Sequence, residues 1–272
     1  MFDPTQPDGF KRLVRASFDT TPASYGTKGD FHWQFAARLV AQAPIQPRQT
    51  VIDLATGTAP AAILAAPRVG KKGCLVGLDL SHHILTLAQR NIATANHTSI
   101  GLLCGDAECL PLRNACVDGI LCSSAIVWLP NIPCALCEWY RVLCPGGWLA
   151  FSCFGGLARQ TVISLLARLL QPYGQQLPEL NAPLNTREKC QQMLDRAGFT
   201  HLTVHRGHDQ PLPTTAEASF DWAWTSRLRF NITLAAEQVA QVRTRYIAEF
   251  TQLASDQDRW NHDYEQYIVA YK

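Results

Sequence analysis

The sequence predicts an α/β protein built on a seven-stranded, mostly parallel sheet with helices on both faces. Three observations carry that expectation. Apolar runs of strand length alternate with helix-period segments from residue 50 to residue 154. The runs are continuously apolar, which is the pattern of strands covered on both sides. Each run exits into a short turn and a helix start, and that rhythm supplies the crossovers a parallel sheet needs.

The elements follow in order. Phe10, Leu13 and Val14, then Phe31, Phe35 and Leu39, stand at helical spacing, interrupted by the turn-rich DTTPASYGTKGD. TVIDLA is the first strand. PAAILAAP is a short helix with Pro60 in its first turn, where proline is tolerated, and it is expected to end by Pro67. GCLVGLDLS is the second strand, and Ser81 is the expected N-cap of the helix HHILTLAQRNIATAN. SIGLLCGDAECLP holds the third strand and its exit loop. VDGILCSSAIVWLP holds the fourth, with ALCEWYRVL as the helix after it. PGG is read as the turn into the fifth strand, WLAFSCF. Beyond Phe154 the rhythm changes. ARQTVISLLARLLQPYG and TREKCQQMLDRAGF are helices, the latter ended by Gly198, and HLTVHRG is the sixth strand. Residues 211–262 are a helical insertion containing FDWAWTSRLRF and a long amphipathic helix near 235–254; EQYIVAYK then closes the sheet. The expected organisation is a helical cap over 1–48, a core over 49–154, and a C-terminal part over 155–272 that carries the insertion.

Composition narrows the function classes. The 272 residues are 47% hydrophobic and 17% charged, a well-buried globular composition, with a charged share below the usual ~25%. Net charge is +2 with the lysines and arginines scattered, and short basic pairs such as Lys71-Lys72 and Arg243/Arg245 are too short for a polyanion-binding stripe, so no nucleic-acid partner is expected. No apolar stretch reaches the ~18 residues of a membrane span, and the first residues lack the apolar segment of a signal peptide. A cytoplasmic protein with reduced thiols is the expectation. Eight of the ten cysteines fall between 104 and 153. Cys134 and Cys137 form a lone C-x-x-C without the second pair a metal site needs, so they read as small buried apolar residues on one helix face, and no metal is expected.

The stretch VIDLATGTAP sits where a nucleotide-binding sheet places its first loop. A dinucleotide fingerprint would show three glycines, so that backbone can approach a pyrophosphate. Here only Gly57 is present, with Ala55 and Ala59 at the flanking positions and Pro60 removing a donor. NAD, FAD and P-loop nucleotides are therefore disfavoured, whereas a nucleoside without phosphates needs less of that cradle. Asp79 ends the second strand 22 residues after Gly57, where a carboxylate can accept from two ribose hydroxyls. Asp106, past the third strand, can accept from an exocyclic amine. Singly, each is also what a capping or surface aspartate looks like. Behind a tight Gly57 turn, at successive strand exits, the set points to a nucleoside.

VIDLATGTAPAAILAA, GLDLS, GDAECLPL, VDGILCSSAIVWLP and RVLCPGGWLAF together resemble the successive motifs of class I S-adenosylmethionine-dependent methyltransferases, the ubiquinone/menaquinone-type group in particular. The resemblance covers residues 50–154 continuously, with LDRAGF and YIVAYK similar to the family's last strands. It implies a Rossmann-like fold with an N-terminal helical lid and S-adenosyl-L-methionine as cofactor. Ala55, Thr56 and Gly57 would face its amino-acid portion, Asp79 its ribose and Leu80 its adenine. Asp106 and the Ala107 N–H would read the adenine edge. Ser123 would lie near the methionine end, and Tyr25 would pack near the cofactor. The family usually has glycine where Ala55 and Ala59 stand, and a methyl group at each would narrow the pocket or tilt the helix.

Methyl transfer from a sulfonium is an in-line displacement, so positioning supplies most of the rate and a base helps only if the nucleophile must lose a proton. His32, in the lid-like segment beside Tyr25 and Trp33, is the candidate base, with a structural role as its alternative. Trp128 is placed to face the methyl group, where an aromatic ring suits a cation, or to serve in the core. Phe220, Trp222 and Trp224 are candidates for lining a substrate pocket, though at i, i+2, i+4 they cannot share one helix face.

The expected activity is methylation, at oxygen before nitrogen or carbon, of a small, largely apolar or aromatic metabolite. The alternatives are a cofactor-free scaffold or partner subunit on the same fold, a non-methyl reaction such as a cyclisation, and arsenite methylation. The last is weakened by reading the cysteines as buried. The helical insertion would serve a homodimer surface as readily as a lid.

Overall fold

The computed structural model describes residues 7–20, 25–26, 30–96, 99–156, 158–178, 180, 182–209, 215–225, 230, 232–254 and 263–272. Seven strands form one sheet: β1 (Thr50–Leu54), β2 (Cys74–Asp79), β3 (Ile100–Cys104), β4 (Val117–Cys122), β5 (Leu143–Gly155), β6 (Thr200–Asp209) and β7 (Tyr264–Tyr271). Their order is β3-β2-β1-β4-β5-β7-β6. The pairs β3/β2, β2/β1, β1/β4 and β4/β5 are all parallel. At the other side, the Gly146 N–H donates to the Lys272 carbonyl and the Lys272 N–H to the Gly147 carbonyl. The start of β5 thus meets the end of β7, so β7 runs antiparallel. In β4 the last four residues are all buried although successive side chains point to opposite faces, so both faces are covered.

Nine helices lie among the described residues: α1 (Pro7–Asp19), α2 (Phe31–Gln42), α3 (Pro60–Val69), α4 (His82–Thr94), α5 (Ile132–Val142), α6 (Ala158–Leu170), α7 (Arg187–Ala197), α8 (Ala216–Thr225) and α9 (Ala236–Ala254). Local chemistry sets several boundaries. Ser81 caps α4 by accepting from the Ile84 N–H at 3.2 Å, as expected, and Asp30 and Asn131 cap α2 and α5 in the same way. Gly119 on β4 lies opposite Trp148, and a Cβ there would come within 2.1 Å of the indole ring. The strand pair closes only because that side chain is missing.

Three local expectations are corrected. Helix α3 does not stop at Pro67 but runs to Val69. Pro67 is exposed in the last turn, so the carbonyl its ring leaves unbonded can turn toward water. The PGG segment is not a separate turn: β5 begins at Leu143 and runs through it, because the end of β7 supplies the backbone partners. The C-x-x-C thiols are not buried. Cys134 and Cys137 are exposed, as are Cys74, Cys104 and Cys109, since the buried face of α5 is taken by Ala135, Leu136, Trp139 and Val142.

The chain divides into two compact units. The first comprises Met1–Cys153, Arg187–Gly207 and Gln266–Lys272; the second comprises Phe154–Thr186 and His208–Glu265. The second has its own core where α6, α8 and α9 pack together around Leu166, Phe220, Tyr246 and Phe250. Inside it Ser219 Oγ lies against Tyr246 Oη at 2.9 Å, both side chains being buried, and the Tyr246 hydroxyl also donates to the Val162 carbonyl at 3.5 Å. No helix among the described residues is long and apolar enough to cross a membrane.

Candidate functional site

The site is built where β1, β2, β3 and β4 end on the same edge of the sheet. Between β1 and α3 the backbone makes a tight loop. Ala55 and Ala59 both stand in the left-handed region, at φ +51° and +67°, and Gly57 lies there too at φ +58°. Glycine is the usual residue in such a conformation, since an L-residue with a Cβ is strained there by roughly 1–2 kcal/mol. The alanines stand in the left-handed conformation that glycine adopts without strain. A Cβ built on Gly57 would meet nothing within 4 Å, so the loop presents bare backbone to open space at that point.

The loop is held from both sides. The Thr56 N–H donates to the Leu78 carbonyl on β2, and the Gly57 N–H donates to Asp79 Oδ2, each at 2.9 Å. Asp79 Oδ1 accepts from the Ser81 N–H at 3.0 Å. Burial pushes the Asp79 carboxyl up from its ordinary value, against the lowering effect of the N–H groups of Ser81, Gly57 and Leu80.

Beneath the loop lies Asp53, a residue the sequence reading passed over. Its Oδ2 accepts from Thr56 Oγ1 at 2.6 Å and from the Ala62 N–H at 3.1 Å, tying β1 to the loop and to the first turn of α3. Its Oδ1 is buried without a hydrogen-bond partner. Burial pushes this carboxyl up to about 7, with the charge of Asp79 adding and the two hydrogen bonds opposing. The signal was present in the sequence, because a carboxylate inside the apolar run VIDL must either be bonded or titrate.

On the neighbouring strands, Asp79 pairs in register with Cys104, so Asp106 lies just beyond its partner. Asp106 Oδ1 accepts from the Glu108 N–H at 2.9 Å, and Oδ2 accepts from Lys11 Nζ at 2.7 Å. Ala107 is buried and its carbonyl accepts from Trp139 Nε1 at 2.8 Å. Leu80 follows Asp79 and is partly buried. Ser123 lies beyond β4, two residues past the register partner of Asp53. It precedes Ser124, whose N–H donates to the buried Ser152 Oγ at 2.9 Å.

The N-terminal segment reaches the same edge. The Gly26 carbonyl accepts from Thr58 Oγ1 at 3.2 Å and from Trp33 Nε1 at 2.8 Å, which brings Tyr25 next to the loop. A line of aromatic rings follows: Tyr25 to His32 at 4.8 Å, Tyr25 to Phe18 at 6.2 Å, and Phe18 to Trp128 at 6.1 Å between centroids. The structure therefore gathers Tyr25, His32, Ala55, Thr56, Gly57, Asp79, Leu80, Asp106, Ala107, Ser123 and Trp128 in the first unit. Phe220, Trp222 and Trp224 belong to the second. Phe220 is buried and stacks on Trp224 at 5.5 Å, and Trp222 packs on the same core. Among the described residues, no group of three or more His, Cys, Asp or Glu side chains is arranged to hold a metal ion.

A methyltransferase-domain family profile matches residues 52–151, the stretch that builds this loop and both carboxylate exits. A malonyl-[acyl-carrier protein] O-methyltransferase of Methylococcus capsulatus is 30% identical over 214 residues, covering 76% of this chain and 74% of that protein. The chain belongs to the class I S-adenosylmethionine-dependent methyltransferases. A second malonyl-[acyl-carrier protein] O-methyltransferase, of a Marinomonas species, is 35% identical over 143 residues, 53% of this chain; the match spans about half, 52%, of that relative. Among solved structures, the YcgJ protein of Bacillus subtilis superposes with a TM-score of 0.61 at 16% identity, covering 89% of this chain and 99% of that one, a likeness of fold.

The residues present fit the family's cofactor. A bare backbone loop, one carboxylate on β2 that holds the loop by accepting from the Gly57 N–H, and a second carboxylate past β3 suit a nucleoside with an amino group. S-adenosylmethionine supplies an electrophilic methyl group on a sulfonium, and the chain's own part is to bind and orient.

Proposed function

We propose that this methyltransferase acts on an oxygen of a small, largely apolar or aromatic metabolite. The observation that carries the cofactor half of this reading is the Gly57–Asp79 hydrogen bond behind a left-handed loop, with Asp106 at the next strand exit. In it, Ala55, Thr56 and Gly57 face the amino-acid portion and Asp79 takes the ribose hydroxyls. Leu80 lies against the adenine, Asp106 and the Ala107 N–H read its edge, and Ser123 lies near the methionine end. The two alanines that suggested a cofactor-free scaffold keep the backbone a glycine loop would have, which favours the enzymatic reading.

The substrate half rests on the aromatic line from Trp128 through Phe18 and Tyr25 to His32. Flat apolar rings beside a cationic methyl donor favour an apolar acceptor, and a ring near the sulfonium attracts it. His32 is the group in that line able to take a proton from an acceptor hydroxyl as the oxygen attacks. The names of the two bacterial relatives, both O-methyltransferases, favour oxygen as the acceptor atom.

The test is a panel of phenols, aliphatic alcohols and carboxylic acids incubated with isotopically labelled S-adenosylmethionine. Transfer to a phenol or alcohol, lost in His32→Gln with S-adenosylhomocysteine binding intact, supports both the acceptor and the base. Transfer only to amines would overturn the oxygen assignment. Turnover unchanged in His32→Gln would remove the base.

A further inference from the structure

Helix α1 is fastened near both ends to the loops that carry the cofactor carboxylates. Toward its start, Lys11 Nζ donates to Asp106 Oδ2 at 2.7 Å and pairs with Glu108 Oε2 as well. Toward its end, Asp19 Oδ1 accepts from Ser81 Oγ at 2.6 Å, next to Asp79, and the Phe18 ring meets Trp128 edge-on. One short helix is therefore tied to the exits of β2, β3 and β4 together.

The Lys11 end is more than a surface ion pair. Such pairs are usually worth little because both charges stay in water. Glu108 is buried, and its Oε1 accepts from the N–H of Asn131, the residue that caps α5, at 2.6 Å. Asp106 in turn accepts from the Glu108 N–H. The ammonium thus sits between two carboxylates only two residues apart, whose charges would otherwise repel. Its presence fixes which way Asp106 points and joins α1 to the start of α5 through Glu108.

We propose that Lys11 is a positioning residue for the cofactor. It orients the Asp106 carboxylate and clamps α1 across the adenosine end of the site, so that the nucleoside leaves only when the clamp opens. The proposal rests on the reading that Asp79 and Asp106 hold the adenosine. With Lys11 bound, the Asp106 carboxylate is held in one orientation, with Lys11 on Oδ2 and the Glu108 N–H on Oδ1, and a second lone pair on its oxygens is left for an amino N–H. Without it, Asp106 can swing away and the helix loses its hold at that end.

The experiment is stopped-flow displacement of S-adenosylhomocysteine from wild type, Lys11→Met, Lys11→Arg and Glu108→Gln, with KM for S-adenosylmethionine and kcat measured alongside. Lys11→Met is expected to raise the dissociation rate by roughly 10-fold, the low end of what losing a hydrogen bond to a charged group costs, since the pair is partly exposed. KM should rise while kcat changes little. Lys11→Arg should restore most of the slow release. Glu108→Gln should speed release less than Lys11→Met, and the double variant should fall short of the product of the two effects. If Lys11→Met lowers Tm but leaves the dissociation rate and KM unchanged, the ion pair merely holds a helix in place and the proposal is wrong. Unchanged release in Glu108→Gln with fast release in Lys11→Met would remove the clamp through α5. Failure of the wild-type protein itself to bind would instead bring down the cofactor reading, and the proposal with it.

Discussion

Asp53→Asn should remove part of the protein's pH dependence, and the direction follows from the geometry beneath the loop. Asp53 is buried, accepts two hydrogen bonds on Oδ2 and none on Oδ1, and its carboxyl is raised from the ordinary 3.8 to about 7. The native state therefore holds a proton that the unfolded chain has released, and stability falls as pH rises from the unfolded value through the folded one. At about 1.4 kcal/mol per pH unit, this one group costs up to about 4 kcal/mol above neutrality. Most of the loss, on the order of 2–3 kcal/mol, falls between about pH 5 and about pH 8.

Asparagine is isosteric and neutral. Its oxygen can keep both donors, Thr56 Oγ1 and the Ala62 N–H, while its NH2 occupies the unbonded side at a cost of about 1–3 kcal/mol. The variant should be equal to or less stable than wild type near pH 5 and more stable near pH 8, by about 1–3 kcal/mol. The assay is urea denaturation followed by circular dichroism at a series of pH values, on protein freed of bound nucleoside. Asp79 is raised by burial too, so a residual slope of the same sign will remain in the variant. Parallel stability curves for the two proteins would refute the reasoning, because they would mean that Asp53 is ionised at the same pH in both states.

Two further substitutions test the backbone. Ala55→Gly relieves a left-handed alanine at φ +51° that is only partly buried, so stability should rise by about 0.5–1 kcal/mol and Tm by about 1–3 °C, read by calorimetry. Ala59→Gly should be nearly neutral, since that methyl is 0% exposed and losing it costs about 0.8 kcal/mol; a fall in Tm for Ala55→Gly would mean the loop is not left-handed there. Gly119→Ala places a Cβ 2.1 Å from the Trp148 ring and should cost about 1–3 kcal/mol or more, with Trp148→Phe in the same background recovering part of it.

Much of this was legible in the sequence. Continuous apolar runs fixed the parallel strands, Ser81 announced α4, and the change of rhythm at Phe154 coincides with the edge of the second unit. Asp79 and Asp106 could be placed at strand exits because strand ends are where apolar runs stop. The errors arose where a partner distant in the chain decides local structure. PGG became strand because β7 returns beside it, and Pro67 was tolerated because it faces solvent. The cysteines of α5 turned outward because larger side chains filled the buried stripe. Lys11 and Glu108 were missed for the same reason: Lys11 meets Asp106 across 95 residues of sequence, and its partner Glu108 lies beyond that, so no spacing could be read. Phe220, a candidate pocket residue in the sequence, is buried in the core of the second unit, and aromatic content alone does not separate a binding surface from such a core.

The central claim is that an alanine-flanked loop still holds S-adenosylmethionine through Asp79. The most direct test is calorimetric titration of wild type, Asp79→Ala and Asp79→Asn with S-adenosylmethionine and S-adenosylhomocysteine, checked by thermal shift. The account predicts micromolar binding by wild type, a stabilisation of about 2.7 kcal/mol at a hundredfold excess over Kd, and loss of both in folded Asp79→Ala. A folded wild-type protein that binds neither compound, or an Asp79→Ala variant that binds as tightly as wild type, would contradict it.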